Sequence, residues 1–275
     1  MSIQQEGARG SARWARDIFG GALVALFVGV APTWGIPPAV ADSAEPAQQN
    51  AVARAAELEA RGDFQGASEV LSQALASSEK ALGPDHPDVA ALSTHLGAVL
   101  SSMGNIEEAE RHLRRALAID EKIYGPESPN VGTDASLLAS ALVVKPDGKG
   151  AVAFARRALA IDEKAFGADH PIVARLAVNL STILLATGGD LAEAEQLSRR
   201  ALAISEKALG PENPDVAAIA SQLAMIRRTQ GFSSEAILLF ERAYKIEAAT
   251  YGAESPQAKA TAAQMEITRG MKEKG

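Results

Sequence analysis

The residues best suited to chemistry in this chain are four histidines, at 86, 95, 112 and 170, and adjacent acid pairs such as Glu107-Glu108 and Asp120-Glu121. Histidines and carboxylates build metal sites and acid–base machinery when their spacing makes them converge. Here no His-x-x-x-His or His-Glu pair has ligand spacing. His86 and His170 each precede a proline, which suits a helix cap. His112 sits in the charged stretch 107–115 and reads as a solvated surface residue. The acid pairs read the same way, because the same letters return at fixed intervals on what looks like a solvent face. His95 alone projects from mid-helix toward a groove. The stretch 145–150, Lys-Pro-Asp-Gly-Lys-Gly, and the pair Gly188-Gly189 lack the Gly-Lys-Ser/Thr ending of a phosphate loop. With cysteine absent, thiolate chemistry and disulfides are excluded. The expectation is a non-enzyme with no catalytic residues, no cofactor and no metal.

Composition narrows the partners. A net charge of −7 with 4% aromatic residues disfavours nucleic acid, which requires clustered Lys and Arg. An apolar fraction of 47% is enough for a real core. Near the start, Arg9, Arg13 and Arg16 precede an uncharged run at 18–31, then Pro32, Pro37 and Pro38, then Ala39-Val40-Ala41. This is the order of a secretory signal with cleavage after Ala41. The run is shorter than the ~20 residues of a membrane span, so retention as an anchor is the weaker alternative. The expected location is periplasmic or extracellular, with membrane contact only if the segment stays uncleaved.

The elements that must carry any site are repeated. Leu-Gly-Pro-Asp-His-Pro-Asp-Val-Ala at 82–90 returns in altered form at 124–132, 166–174, 209–217 and 251–259, in steps of 42, 42, 43 and 42 residues. A second phrase, Arg-Ala-Leu-Ala-Ile-Asp-Glu-Lys at 115–122 and 157–164, becomes Arg-Ala-Leu-Ala-Ile-Ser-Glu-Lys at 200–207. Apolar residues recur three, four or seven apart within each half, so each unit predicts two helices. His86, Ser128, His170, Asn213 and Ser255 cap the first helices, with proline at the first helical position. Gly83, Gly125, Gly167, Gly210 and Gly252 end the second helices, in the left-handed closing conformation. One hairpin cannot bury its own apolar face, so stacking supplies the core. Residues 1–41 then form a signal peptide and 42–49 a flexible lead-in. Residues 50–271 form five tandem helix hairpins with a C-terminal capping helix, and 272–275 a tail.

The shared pattern Gly-Pro-x-His-Pro-x-Val-Ala, then Leu-Gly or Leu-Ala, then Gly-x-x-x-Glu-Ala-Glu, then Arg-Ala-Leu-x-Ile-x-Glu-Lys resembles tetratricopeptide repeats of the kinesin-light-chain kind. The resemblance implies an all-α, right-handed superhelix of stacked antiparallel hairpins, with first helices forming a concave wall that binds peptides or partner helices. Aligning the units on Leu96, Leu138, Leu180 and Leu223 puts Thr94, His95, Arg175, Asn179, Thr182, Ser221, Gln222, Met225 and Arg228 on that wall. The family's Asn-Asn pair is matched by Asn179 alone, with Gln222 and His95 as chemical substitutes. The expected function is an exported interaction module binding an extended, internal peptide segment through Asn179 and Gln222. A structural subunit of an assembly is the alternative. No small-molecule substrate is expected.

Overall fold

The computed structural model describes residues 46–145 and 148–271. The expected signal segment and tail lie outside them, and α1 begins at Pro46, so the last residues of the expected lead-in are already helical. Among the described residues there are eleven helices and no strand: α1 (Pro46–Ala60), α2 (Phe64–Leu82), α3 (Pro87–Ser102), α4 (Ile106–Tyr124), α5 (Pro129–Leu142), α6 (Lys149–Phe166), α7 (Pro171–Thr187), α8 (Leu191–Leu209), α9 (Pro214–Gln230), α10 (Ser233–Tyr251) and α11 (Pro256–Arg269). The chain divides into two compact units, one ending at Ile161 and the other starting at Asp162, both within α6. In the first unit α1 packs on α2, α3 on α4, and α3 also on α5. In the second, α7 packs on α8, α9 on α10 and α10 on α11, while α7 touches α9. No helix of the described residues is long and apolar enough to cross a membrane.

The caps follow the sequence. His86 and His170 accept through Nδ1 from the backbone N–H two residues on, and Asn213 does so through Oδ1. Ser128 and Ser255 accept from the third residue on. The glycine stops differ from expectation in one torsion. Gly83 lies at φ 92°, ψ 162° and Gly125 at φ 85°, ψ 160°, so φ is positive but the chain leaves extended. That region is open essentially to glycine alone. It lets the Gly83 N–H close on Glu79 O and then sends the chain through a turn at 84–85 to the His86 cap of the next helix. The left-handed closing conformation falls instead after first helices, at Gly188 and Gly231.

Where the two helices of a hairpin cross, the register 97, 139, 181, 224 meets 113, 155, 198, 240. A Cβ on Gly97 would lie 2.6 Å from Leu113 Cγ, so glycine makes room for leucine. Further along the chain the crossing is hydrogen-bonded: Ser181 Oγ donates to Ala194 O (2.8 Å) and lies 2.7 Å from Ser198 Oγ. Further still, Ala224 packs with Ala236 against Phe240. At both ends of the series a small residue of the first helix makes room for a large one of the second, as close packing requires.

The phrase Arg-Ala-Leu does a second job that the sequence did not announce. Arg115 bonds Glu79 and the Pro84 carbonyl, Arg157 bonds Glu121 and the Pro126 carbonyl, Arg200 bonds Glu163 and the Ala168 carbonyl, and Arg242 bonds Glu206 and the Pro211 carbonyl. Each clamp ties a second helix to the end of the preceding one. All are about one-third exposed, so each contributes no more than about 1 kcal/mol.

Helix α5 stops at Leu142 and α6 starts only at Lys149, with Gly132 inside α5 and Gly150 in the first turn of α6. Interior glycine costs about 1 kcal/mol against alanine. Amide exchange should accordingly find its least protected internal residues at 143–145 and 148–152. Equal protection across every inter-helix turn would contradict this.

Candidate binding wall

The wall residues expected from the register do not share one environment. On α3, Thr94 and His95 are half-buried, and burial pushes the His95 imidazole below its ordinary pKa, which keeps it neutral near pH 7. On α7 and α9, Arg175 is exposed and Thr182, Ser221 and Met225 are half-buried. Arg175 lies in a setting that lowers its pKa by desolvation, against an opposing pull from Asp162, and it remains a cation. The Ser221 hydroxyl is buried and unbonded.

Three of the expected ligand-facing residues prove to be internal. Asn179, Gln222 and Arg228 are each 8% exposed. Gln222 Nε2 donates to Val178 O (3.1 Å) and to Thr182 Oγ1 (2.7 Å), so both amide hydrogens hold α9 to α7. Arg228 Nη1 donates to Gln264 Oε1 (2.8 Å) and reaches Thr268 Oγ1 (3.5 Å), holding α9 to α11. The expectation that Gln222 donates to a ligand is thereby corrected. A buried donor must be satisfied, and the carbonyl and hydroxyl of the neighbouring first helix lie within reach.

These bonds belong to a series the sequence reading missed. Thr94 pairs with Asp134, Thr182 with Gln222, and Arg228 with Thr268, each 40 residues apart. Gln48 and Asp88 form a further pair, also 40 apart. With its amide oriented to satisfy it, Gln48 donates to both Asp88 carboxylate oxygens, at 3.0 and 3.2 Å. A search for complementary polar residues 40 positions apart would have found them.

Two further expectations are corrected. Asp120 is 7% exposed, not on a solvated face, and its homologue one repeat later, Asp162, is 5% exposed. Burial pushes both carboxyls up to about 6. Their partners in sequence, Glu121 and Glu163, do reach the arginine clamps, which are about one-third exposed. The repeat's helical period turns the aspartate inward and the next residue outward. His112 is half-buried, with Nδ1 unbonded and the imidazole pKa lowered mainly by burial. Among the described residues no group of three or more His, Asp or Glu is placed to hold a metal.

The geometry is that of a scaffold: stacked helix pairs whose buried polar groups bind one another, with a row of small and polar side chains left at the surface of the first helices. Tetratricopeptide-repeat models match residues 49–122, 88–143 and 184–249, and a second such model matches 138–172. The chain belongs to the tetratricopeptide repeat family. Among solved structures it resembles the nearly identical TPR-like repeats of a Podosopora anserina protein assigned as a kinesin light chain, at 27% identity and a TM-score of 0.65, over 75% of this chain and 98% of that one. It also resembles BtubC (BKLC) from P. vanneervenii, at 21% identity and a TM-score of 0.63, over 92% and 93% of the two chains. The apo form of RapI shares the fold at 16% identity and a TM-score of 0.66, over 81% and 76%. No curated protein sequence matches it. Repeats of this family serve as protein-interaction scaffolds, typically without catalysis.

Proposed function

We propose that the protein is exported and binds an extended, internal segment of a partner protein along the surface row of its first helices. The observation that carries this reading is the chemistry of that row. Ala218, Ser221 and Met225 on α9 are small or uncharged and at least partly exposed, which suits a chain lying across them. Arg228 is buried and bonded, which leaves Arg175 as the exposed cation of the α7–α9 row. A clamp for a terminal carboxylate needs several convergent cations, so an internal segment fits better. Export rests on the Arg-rich start, the apolar run and Ala39-Val40-Ala41.

Crosslinking in the native envelope fraction should identify the partner, and the exported protein should begin at Asp42 by intact mass. A bulky side chain on the row should then block binding. Ala218→Trp is expected to weaken it at least tenfold with an unchanged thermal midpoint, because Ala218 is exposed. Added salt should change the affinity little. Undiminished binding by this variant, with light scattering showing a defined assembly, would replace the reading with a structural-subunit role.

A further inference from the structure

Asp134 occupies the register that Leu92, Leu176 and Ile219 fill in the other repeats, all of them buried. It is itself 1% exposed, and its Oδ2 has no hydrogen-bond partner. Its Oδ1 lies 2.6 Å from Thr94 Oγ1, and the same Thr94 Oγ1 lies 3.1 Å from Ala90 O. A hydroxyl has one proton and can donate to only one of them.

Two other threonines in the chain show how this conflict is resolved. Thr182 Oγ1 donates to Val178 O (2.9 Å) and accepts from Gln222 Nε2. Thr268 Oγ1 donates to Gln264 O (2.7 Å) and accepts from Arg228. In both cases the threonine hydrogen goes to its own helix, four residues back, and an obligate donor on the neighbouring first helix supplies the second hydrogen. At Thr94 the neighbour is a carboxyl group, which can fill the donor's role only when protonated.

We propose that Asp134 carries a proton in the folded protein and acts as a proton-operated latch between α5 and α3. Asp134 O–H donates to Thr94 Oγ1, and the Thr94 hydroxyl donates to Ala90 O. When the proton leaves to solvent, Thr94 must turn its single hydrogen from Ala90 to the new carboxylate. The anion then sits buried with Oδ2 unbonded. The charges around it favour keeping the proton. Asp120 on α4 opposes ionisation, Asp120 and Asp88 on α3 both act on Tyr124 of α4, His95 on α3 is neutral, and no lysine or arginine of the described residues acts on Asp134. Burial first, then Asp120, moves its pKa up to about 8, with the Thr94 bond pulling the other way. The latch does not depend on the peptide-binding reading.

The test is carboxyl-carbon NMR of Asp134, together with exchange of the α5 amides, between pH 5 and 9. Asp134 should titrate near 8. Opening of α5, corrected for intrinsic exchange, should rise at least tenfold across that range in the wild type. Asp134→Asn, whose amide always donates, and Asp134→Leu, the residue of the other repeats, should show no such rise. Titration of Asp134 near the ordinary aspartate range would overturn the latch, as would the same pH response in both variants. The carboxyl titration needs only the native chain, so it decides the matter even if a variant fails to fold.

Discussion

Replacing Phe240 with alanine should cost about 3–5 kcal/mol, among the largest losses available to any single substitution here. Phe240 is 1% exposed and fills the crossing of α9 and α10 against Ala224 and Ala236, with Met225, Leu239 and Met265 around it. Ala224 across the crossing and Ala236 one turn back on α10 cannot grow to fill the space, and the flanking methionines can fill only part of it. The Arg228 guanidinium, 6.0 Å from the ring centroid, also loses its aromatic face. Repeats contact only their neighbours, so the damage should stay close to α9–α11. In urea, followed by amide exchange, α9 to α11 should open well before α1 to α4. A loss under about 1 kcal/mol, or one spread evenly over the chain, would show that Phe240 is not the keystone of its crossing.

Stability should rise as pH falls from about 7 to about 4, the reverse of ordinary acid denaturation. Asp120 and Asp162 titrate near 6 in the fold because burial penalises their charged forms, against 3.8 when exposed. A carboxyl raised on folding contributes stability that is fully present below its unfolded pKa and is lost as pH rises through the folded value. The window for these two therefore runs from about pH 4 to above pH 6, and each contributes roughly 2–3 kcal/mol across it. Glu247, raised by burial, acts in the same direction. Glu110 acts oppositely: its bond to Lys145 lowers its pKa, so its contribution is lost only as pH falls below the ordinary glutamate range. Thermal midpoints should thus climb as pH falls from about 7 to 4 and decline below that. Asp120→Asn and Asp162→Asn should each flatten part of the climb between pH 5 and 7. A midpoint that drops steadily from pH 8 to 5 in the wild type would refute the assignment.

What the sequence determined by itself is everything that local chemistry and repetition specify. The hairpin unit, the proline-led caps at His86, Ser128, His170, Asn213 and Ser255, and the glycine stops depend on neighbours within four residues, and each was copied often enough to be unmistakable. Even there, the extended exit at Gly83 and its homologues escaped notice, because glycine tolerates several positive-φ conformations and the next helix's direction selects among them. The tertiary structure alone decided which polar residues face a partner and which face one another. Gln222, Arg228 and Asp134 looked alike as polar letters on a first helix, yet each meets a threonine 40 residues away in the adjacent one. Asp120 and Glu121 looked alike as a charged pair, yet one is buried and the other reaches a clamp. Burial and pairing are properties of two helices brought together by stacking, and a buried polar group takes whatever partner that stacking puts within about 3 Å.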